Sequence, residues 1–418
     1  MSRVHVVGAG LAGLAAALRL SAKNMKVVLH EATSHAGGRC RSFHDKTLDC
    51  VIDNGNHLLM GGNTAAMTYL DEIGARDRLT GPEESRFDFI DIDSGERWSL
   101  RPNRGPVPWW VLSKQRRTPG TNLLSLIPAL KLMLAGREQT VAEVIDADSV
   151  LYERMLEPLT VAAINAPPSK SAAALMKPVL LETFGRGAEG CRPLVARESL
   201  ADALIDPALE VLKKRGVEIR FGDRLQKLHL STDGNRAEAL NFGRSATRCH
   251  TNDQVILALT AWDTHTLLPD LTVPPAGAPI VNVHFRNETA LQEVGLIGLI
   301  GGFAQWVFTR PDIISITISA ASDEVQMDAD EIARRCWTDV QQALDISTNM
   351  PAYRVIKERR ATIAQSPEDN ALRPDNETDM RNLFLAGDWT DTGLPATIES
   401  AIRSGNRAGD LAAARVGR

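Results

Sequence analysis

Residues 3–20, RVHVVGAGLAGLAAALRL, join an apolar run, a glycine turn and a strong helix-forming segment, and this order decides the fold. The turn carries Gly8, Gly10 and Gly13 with the spacing GxGxxG. In such a turn the first glycine permits a tight bend, the second lets a pyrophosphate approach the backbone, and the third lets the helix pack closely on the strand. The helix N-terminus adds free N–H groups and a partial positive charge. The stretch therefore predicts a dinucleotide-binding βαβ unit.

An acid follows the next apolar run at the distance that a dinucleotide site requires. Residues 26–30, KVVLH, are typical of a second strand, and Glu31 ends it. This position lies about 20 residues beyond the glycines, where a carboxylate accepts hydrogen bonds from a ribose 2′-hydroxyl. Glu31 would repel a phosphate on that hydroxyl, which disfavours NADP.

The segment after Glu31 distinguishes between dinucleotides. Residues 36–41, AGGRCR, place a Gly-Gly-Arg run behind the acid. In this order the motifs resemble the amine oxidase and phytoene desaturase group of flavoproteins, in which that run touches the pyrophosphate of FAD. The resemblance implies FAD as the cofactor and assigns contacts with it to Gly38, Arg39 and Arg41. The alternative for the two arginines is a solvated basic turn.

A second glycine-containing motif lies near the C-terminus. Residues 382–388, NLFLAGD, are typical of a buried strand that runs into a Gly-Asp turn, and GLPATIESA at 393–401 opens a helix. The resemblance to the same flavoproteins implies that the turn contacts the ribityl–pyrophosphate region and that the helix N-terminus faces the flavin pyrimidine. A helix N-terminus at that edge favours the anionic reduced flavin. The matching residues here are Gly387, Asp388, Ala396, Thr397 and Ile398.

The two motifs lie at opposite ends of a chain of 418 residues, which is too long for one hydrophobic core. The fold class that we expect is α/β, with a discontinuous, Rossmann-like FAD-binding domain of the GR2 type and a second, α+β substrate domain. In the resembling flavoproteins the returning middle segment passes the adenine, which assigns Leu225 to the cofactor. We expect the FAD-binding domain at 1–62, 198–261 and 371–418, and the substrate domain at 63–197 and 262–370.

The two insertions that form the substrate domain differ in pattern. The second insertion has strand-like runs at 279–285, 305–308 and 313–319 and a helical stretch at 328–344. The first is mainly helical by pattern, with breaks at proline-rich places. Together they predict a mixed sheet with helices.

The composition is that of an ordinary globular protein, with 44% hydrophobic and 24% charged residues and a formal net charge of −5. The negative charge argues against a nucleic-acid partner. Five scattered cysteines lack metal-ligand spacing, so we expect free thiols and no metal. We find neither a signal peptide nor an apolar run of ~18 residues, and therefore expect a cytoplasmic protein.

One region of the first insertion concentrates positive charge. Residues 97–137 contain eight Lys or Arg and no Asp or Glu, together with Trp98, Trp109 and Trp110 and the apolar run 123–130. Basic residues and tryptophans beside an apolar helix favour an in-plane membrane contact, here on the inner face of the cell membrane. The alternative is a helix that buries its leucines within the substrate domain.

The resemblance narrows at residues 53–61, DNGNHLLMG. This segment resembles the hydroxysqualene dehydroxylases of bacterial hopanoid biosynthesis, which carry an Asp-Asn-Gly-x-His run after the Gly-Gly-Arg loop. Asn56 departs from the pattern, since Gln is more frequent there. The resemblance implies an apolar isoprenoid substrate and a reaction in which the allylic hydroxyl of hydroxysqualene is protonated and lost as water, and hydride from the flavin gives squalene. It leaves the electron donor open.

Loss of that hydroxyl needs an acid, because hydroxide is a poor leaving group, and a general acid contributes about 10²–10⁴-fold. His57 is the first candidate, since it follows a loop expected near the flavin and an ordinary histidine pKa suits proton donation near pH 7. The alternative for His57 is a ring that orders the loop through a local hydrogen bond. Asp53 is the second candidate.

Two other functions compete with the dehydroxylase. A carotenoid-type desaturase or saturase would run similar chemistry on a similar substrate, the desaturase in the opposite redox direction. A non-catalytic prenyl-lipid carrier of the same fold, such as a Rab escort protein, has no need of the intact cofactor motifs. An amine oxidase is disfavoured, because none of the three tyrosines lies beside the C-terminal motif, where an aromatic cage would hold an amine.

Overall fold

The structure, a computed structural model, describes residues 2–122, 124–243, 245–289, 291 and 293–416, and of Leu126 and Pro128 it describes the backbone alone. The strands of these residues are, in chain order, β1 (Arg3–Val7), β2 (Lys26–Glu31), β3 (Ser42–Asp45), β4 (Cys50–Asp53), β5 (Leu59–Met60), β6 (Leu79–Thr80), β7 (Phe87–Asp91), β8 (Arg97–Leu100), β9 (Pro193–Ala196), β10 (Glu218–Phe221), β11 (Lys227–Leu230), β12 (Ala237–Asn241), β13 (Ala246–Arg248), β14 (Gln254–Leu257), β15 (Ile280–Arg286), β16 (Gly295–Ile300), β17 (Trp306–Thr309), β18 (Ile313–Ile318), β19 (Tyr353–Glu358) and β20 (Leu383–Leu385).

The α-helices of the described residues are, in the same order, α1 (Leu11–Ser21), α2 (Thr64–Glu72), α3 (Ile127–Met133), α4 (Val141–Val144), α5 (Glu157–Ile164), α6 (Ala173–Glu182), α7 (Gly187–Cys191), α8 (Asp206–Lys214), α9 (Ala261–Leu267), α10 (Ala329–Leu344), α11 (Pro367–Asn370) and α12 (Ile398–Val416). A π-helical turn precedes α5 at Tyr152–Leu156 and another precedes α8 at Ala201–Ile205.

Both ends of the chain build one sheet. Its order is β10-β2-β1-β14-β20, and all its pairs are parallel. Helices α1 and α12 pack against each other in the hydrophobic core on one face, and the antiparallel strands β11, β12 and β13 cover the other face. A parallel sheet must be covered on both faces, because its strands are apolar on both sides. This arrangement confirms the α/β, Rossmann-like class and the discontinuous assembly predicted from the two motifs.

The two insertions share a second sheet of seven strands in the order β19-β15-β18-β17-β16-β7-β8. Strands β15, β17 and β18 and helix α10 match the predicted elements of the second insertion. Helix α10 buries its apolar face in the core that lies on one side of this sheet. The opposite side carries polar residues and contributes to the site described below.

The first insertion is less helical than its pattern predicts. Its strands β7 and β8 form one edge of the large sheet, where β7 pairs in parallel with β16, more than 200 residues further along the chain. The insertion is still mainly helical, and its short strands were not predicted because the pairing that fixes β7 comes from the other insertion. Strands β16 and β19 were likewise not predicted.

Helix α2 lies beyond the predicted end of the first FAD-binding segment at residue 62. Its residues Ala66, Met67, Tyr69 and Leu70 are buried in the same core as α1 and α12. The packing therefore favours a domain limit after α2, and the division of the rest of the chain stays a prediction.

Candidate active site

Of the three glycines in the turn, one has free space beside it. Gly8 has φ of 107°, and a Cβ atom on it would lie 2.3 Å from the carbonyl oxygen of Ala258. A Cβ atom on Gly13 would lie 1.8 Å from the carbonyl oxygen of Gly8, so this glycine allows the close packing of helix and strand. A Cβ atom on Gly10 would meet no atom within 4 Å. The space beside Gly10 thus fits the pyrophosphate that the motif predicts.

Glu31 ends β2 beside this turn. Its Oε2 accepts a hydrogen bond from the backbone N–H of Ala9 at 2.9 Å, and its Oε1 accepts bonds from the N–H and hydroxyl of Thr33, both at 2.9 Å. A carboxylate has about four acceptor positions, so it retains capacity for a ribose hydroxyl. The segment that follows β10 begins beside Glu31, because Asp223 N donates to the Glu31 carbonyl oxygen. Leu225 lies in this segment and is buried in the core beneath the sheet.

An ion pair joins the N-terminal and C-terminal motifs. Arg39 Nη2 lies 2.6 Å from Asp388 Oδ1, and Arg39 Nη1 donates to the carbonyl oxygen of Ala361. Gly38 lies against Gly10, since a Cβ atom on Gly38 would be 3.5 Å from the Gly10 Cα. The structure therefore places Gly10, Gly38, Arg39 and Asp388 side by side. Arg41 differs from this group, since it is exposed and donates to the Gly38 carbonyl oxygen.

A buried arginine that sequence reasoning missed holds the C-terminal motif in shape. Arg373 donates to the carbonyl oxygens of Asp388, Thr390 and Leu394. Burial lowers the pKa of its guanidinium, and the charge of Asp388 acts in the opposite direction. No periodicity or motif identifies this residue, because its partners are backbone atoms of a loop.

The N-terminus of α12 follows the same loop. The N–H of Ala396 donates to Gln365 Oε1 at 2.7 Å, and Thr397 Oγ1 accepts a bond from Ser400 N. The N–H groups of Thr397 and Ile398 have no acceptor among the described residues. These free donors and the helix dipole suit the electron-rich edge of a flavin ring.

Asp53 ends β4 and is bonded to three separate segments of the chain. It accepts hydrogen bonds from Ser42 Oγ at 2.6 Å, Leu200 N at 2.8 Å and Arg310 Nη1 at 3.2 Å. Burial raises the pKa of its carboxyl, and Arg310 opposes this change. The carboxylate joins three separate segments, an arrangement that by itself explains its burial.

His57 lies in the loop at residues 54–58, which joins β4 to β5. Its ring has no hydrogen-bond partner among the described residues, and burial lowers its pKa to about 4, with Arg39 adding to the effect and Asp388 opposing it. Both charges act on the ring because the loop lies next to the Arg39–Asp388 pair. The imidazole is therefore neutral at pH 7, contrary to the expectation that its pKa suits proton donation there.

A small cavity of about 30 Å³ opens beside this loop. It lies between the loop, β9 and strands β16 to β18 of the large sheet. Its polar lining residues are Asp53, Asn56, His57, Thr309, Arg310 and Ser315, and its apolar ones include Val195, Leu200 and Phe308. A space of this size with a mixed polar and apolar lining can hold a water molecule or a hydroxyl group.

The basic region of the first insertion exposes an apolar surface. Seven of the thirteen large hydrophobic side chains exposed among the described residues lie in it, namely Val107, Trp109, Leu112, Leu124, Ile127, Leu130 and Leu134. We call these seven the exposed apolar surface. The three tryptophans of the region differ in exposure, since Trp98 and Trp110 are buried and Trp109 is 65% exposed. Leu123 of the predicted apolar run lies outside the described residues.

Two further features bear on the predictions. The five cysteines are buried and unpaired, as expected, and the described residues contain no cluster of His, Cys, Asp and Glu that could hold a metal ion. No described helix has both the length and the apolar character needed to cross a membrane.

Comparison with known proteins identifies the family of this chain. The family model for flavin-containing amine oxidoreductases matches residues 11–413. The chain is 41% identical over 412 residues to a hydroxysqualene dehydroxylase from Zymomonas mobilis, with 99% of each chain covered. It is 24% identical to a 15-cis-phytoene desaturase from Glycine max, covering 96% of this chain and 78% of the relative. A cyclohexylamine oxidase from Brevibacterium oxydans has a similar fold, with a TM-score of 0.69 at 15% identity and 100% of both chains covered.

Proposed function

Because the chain belongs to the flavin-containing amine oxidoreductases and, within them, to the hydroxysqualene dehydroxylases, we propose that it converts hydroxysqualene to squalene with reduced FAD. It is an FAD-dependent oxidoreductase, and its substrate is an apolar isoprenoid. The observation that carries the proposal is that Gly38 lies against Gly10 while Arg39 pairs with Asp388, so that the N-terminal and C-terminal motifs meet at one place. A lipid carrier would have no use for this cofactor site.

The reaction breaks a C–O bond and forms a C–H bond, and the oxygen leaves as water after gaining a proton. FAD supplies the hydride when it is bound and reduced. The chain would hold this cofactor through the open backbone at Gly10, the carboxylate of Glu31 and the free N–H groups of Thr397 and Ile398. The positive end of α12 would stabilise negative charge on a flavin pyrimidine bound there, which would favour hydride donation.

For the proton we propose His57 as the donor, in its cationic form. Its ring borders the cavity, lies beside the Arg39–Asp388 pair and makes no hydrogen bond to a described residue, so it is available to a substrate. Asp53 is the second candidate. Its two oxygens already accept three hydrogen bonds, which favours a structural role for it.

The test is a single turnover without oxygen. The purified holoprotein is reduced and mixed with hydroxysqualene, and we expect the flavin to be reoxidised as squalene forms. Deuteride placed at flavin N5 should appear on the carbon that carried the hydroxyl. If the reduced protein leaves hydroxysqualene unchanged and the oxidised protein desaturates an isoprenoid, the chain is a desaturase instead.

We also propose that the exposed apolar surface binds peripherally to an anionic membrane. Its side chains lie among exposed basic residues, including Lys114, Arg116 and Lys131, and leucines are exposed there that a purely internal helix would bury. A lipid surface gives such side chains an apolar environment and attracts the cations. This contact would bring the protein to the phase that holds its apolar substrate.

Vesicle sedimentation tests this surface. Wild-type holoprotein should sediment with vesicles of phosphatidylglycerol and phosphatidylethanolamine, and less so as salt rises. Replacing Trp109 and Leu134 by Ser should weaken sedimentation several-fold, while Leu372→Ser, a change at a 40% exposed leucine elsewhere, should not. Equal sedimentation of all three proteins would show that this surface is not the membrane contact.

A further inference from the structure

On the face of the large sheet that lies towards the active site, two pairs of polar residues are buried. In the register of β15 and β18, Asn282 lies opposite Thr317 and His284 lies opposite Ser315. All four are buried. On the other face the same strands carry apolar side chains of the second core, such as Val283 and Ile316. Buried polar groups cost free energy unless they are hydrogen-bonded, so their position calls for an explanation.

The first pair is explained by its hydrogen bonds with Asn56 of the loop at residues 54–58. Asn282 Oδ1 accepts a bond from Thr317 Oγ1 at 3.0 Å and another from Asn56 Nδ2 at 3.3 Å. Asn56 Nδ2 also lies 3.0 Å from Thr317 Oγ1. These contacts fix the loop that carries His57 beneath the sheet. Asn282 and Thr317 are therefore occupied with a structural task.

The second pair has no such partner. His284 Nδ1 lies 2.7 Å from Ser315 Oγ, and the Nε2 atom of His284 makes no hydrogen bond to a described residue. Burial, with Arg310 adding to it, lowers the pKa of His284 to about 3, so the ring is neutral. A neutral ring uses one donor or acceptor function of the serine, and a hydroxyl group has one donor and two acceptor positions. Ser315 thus retains hydrogen-bonding capacity.

Ser315 is also the hydroxyl group of the cavity lining whose proton is not committed to a backbone carbonyl oxygen. Among the other polar lining residues, Asp53 and Arg310 are paired, Thr309 donates to the Glu293 carbonyl oxygen, Asn56 is held by Asn282, and His57 is the proposed proton donor. Hydroxysqualene has one hydroxyl group on an otherwise apolar chain. Depending on the tautomer of His284, the Ser315 hydroxyl can donate to or accept from that one group.

We propose that Ser315, held by His284, binds the hydroxyl group of the substrate and so distinguishes hydroxysqualene from squalene. This inference rests on the proposed function and adds the residue that recognises the leaving oxygen. This hydrogen bond is lost when the hydroxyl leaves as water, so the protein binds the product squalene more weakly than the substrate. His284 acts as a positioning residue, because it fixes the rotation of the serine hydroxyl and does not border the cavity.

The experiment compares binding to the oxidised holoprotein, in detergent, by the change in the flavin spectrum. Wild type should bind hydroxysqualene about tenfold more tightly than squalene, the contribution of one neutral hydrogen bond. Ser315→Ala should bring this ratio close to one with squalene affinity unchanged, and Ser315→Thr should restore most of it. Ser319→Ala is the matched control, because Ser319 follows β18 on the same face and is buried outside the cavity lining. It should keep the wild-type ratio.

A second variant tests the positioning residue. His284→Phe should lower the ratio to an intermediate value and raise KM for hydroxysqualene more than it lowers kcat, with FAD content unchanged. If Ser315→Ala keeps the wild-type ratio, or if wild type shows no preference, the proposal is overturned. A wild type that prefers hydroxysqualene in binding but does not convert it supports this site and contradicts the proposed function, so the two failures are distinct.

Discussion

At the scale of single residues, the glycine turn makes two different steric demands. Gly13 is needed by the protein itself, because a side chain there would collide with the backbone of Gly8. Gly10 has φ of −74°, which any residue adopts, and a Cβ atom on it would meet no protein atom within 4 Å. The demand at Gly10 therefore comes from the cofactor alone, and the two roles can be separated by mutation.

We expect Gly10→Val to give a folded protein without FAD. The valine side chain would occupy the space of the pyrophosphate and would not strain the backbone. Gly13→Val should instead abolish soluble folded protein, because its Cβ atom would lie 1.8 Å from a carbonyl oxygen. Flavin absorbance and circular dichroism of both purified variants check this. A yellow Gly10→Val protein would contradict the assignment.

The second residue-scale prediction concerns His57 and pH. Its pKa of about 4 means that the cationic fraction rises tenfold for each pH unit between 7 and 5. If His57 is the acid, the rate of flavin reoxidation by hydroxysqualene should rise in the same proportion, and His57→Gln should remove this dependence without loss of FAD. Asp53→Asn is the comparison variant. A rate that is flat from pH 7 to 5 in wild type would return His57 to a structural role.

At the scale of elements, Glu399 connects the helices α12, α2 and α6. It lies in the first turn of α12 and accepts bonds from Ala65 N at 2.9 Å and Ala66 N at 2.8 Å, which are N–H groups of the first turn of α2. Arg403 bonds both Glu399 and Glu182 of α6. A buried carboxylate at a helix N-terminus satisfies free N–H groups and interacts favourably with the dipole.

Glu399→Gln should therefore lower the free energy of unfolding by about 2–4 kcal/mol, since the amide leaves Arg403 and one helix donor poorly satisfied. Urea unfolding of the holoprotein measures this. The control is Glu377→Gln, which disrupts an exposed ion pair with Arg415 of the same helix and should cost below about 1 kcal/mol. Equal losses in the two variants would show that the buried network is not stabilising.

At the scale of the whole molecule, desolvation lowers the pKa of four histidines of the described residues, and the change is large for three of them and smaller for His30. Burial is the main cause that lowers the pKa of His5 and His57 to about 4 and that of His284 to about 3. They lie in different parts of the structure, the first in β1 of the parallel sheet and the last in β15 of the large sheet. Unfolding returns all three to their ordinary pKa near 6.5.

Stability should consequently fall as pH falls from 7.5 to 5.5. In this range the unfolded chain gains protons that the folded chain does not bind, with a slope of up to about three protons. Burial raises the pKa of Asp53 and Asp339, which acts in the opposite direction closer to pH 4. Urea unfolding at pH 7.5, 6.5 and 5.5 tests this, and His5→Asn should make the slope shallower. A free energy of unfolding that stays constant or rises towards pH 5.5 would contradict the prediction.

The sequence by itself determined the cofactor half of this protein. The spacing of Gly8, Gly10 and Gly13, the acid at Glu31 and the Gly387-Asp388 turn each express a local steric or charge requirement, so they are readable without coordinates. The structure brings Gly10, Gly38, Arg39 and Asp388 together, and their contacts with FAD stay a prediction. The family followed from the same motifs, and the comparisons confirmed it.

The tertiary structure decided what depends on partners far apart in the chain. Strand β7 is a strand because β16 pairs with it, and Ser315 gains its role from His284, 31 residues earlier. Trp109 and Trp110 are neighbours in the sequence, yet one is exposed and the other packs near Phe184. The pKa of His57 was misjudged for the same reason, because burial and charge are set by segments that only folding brings together.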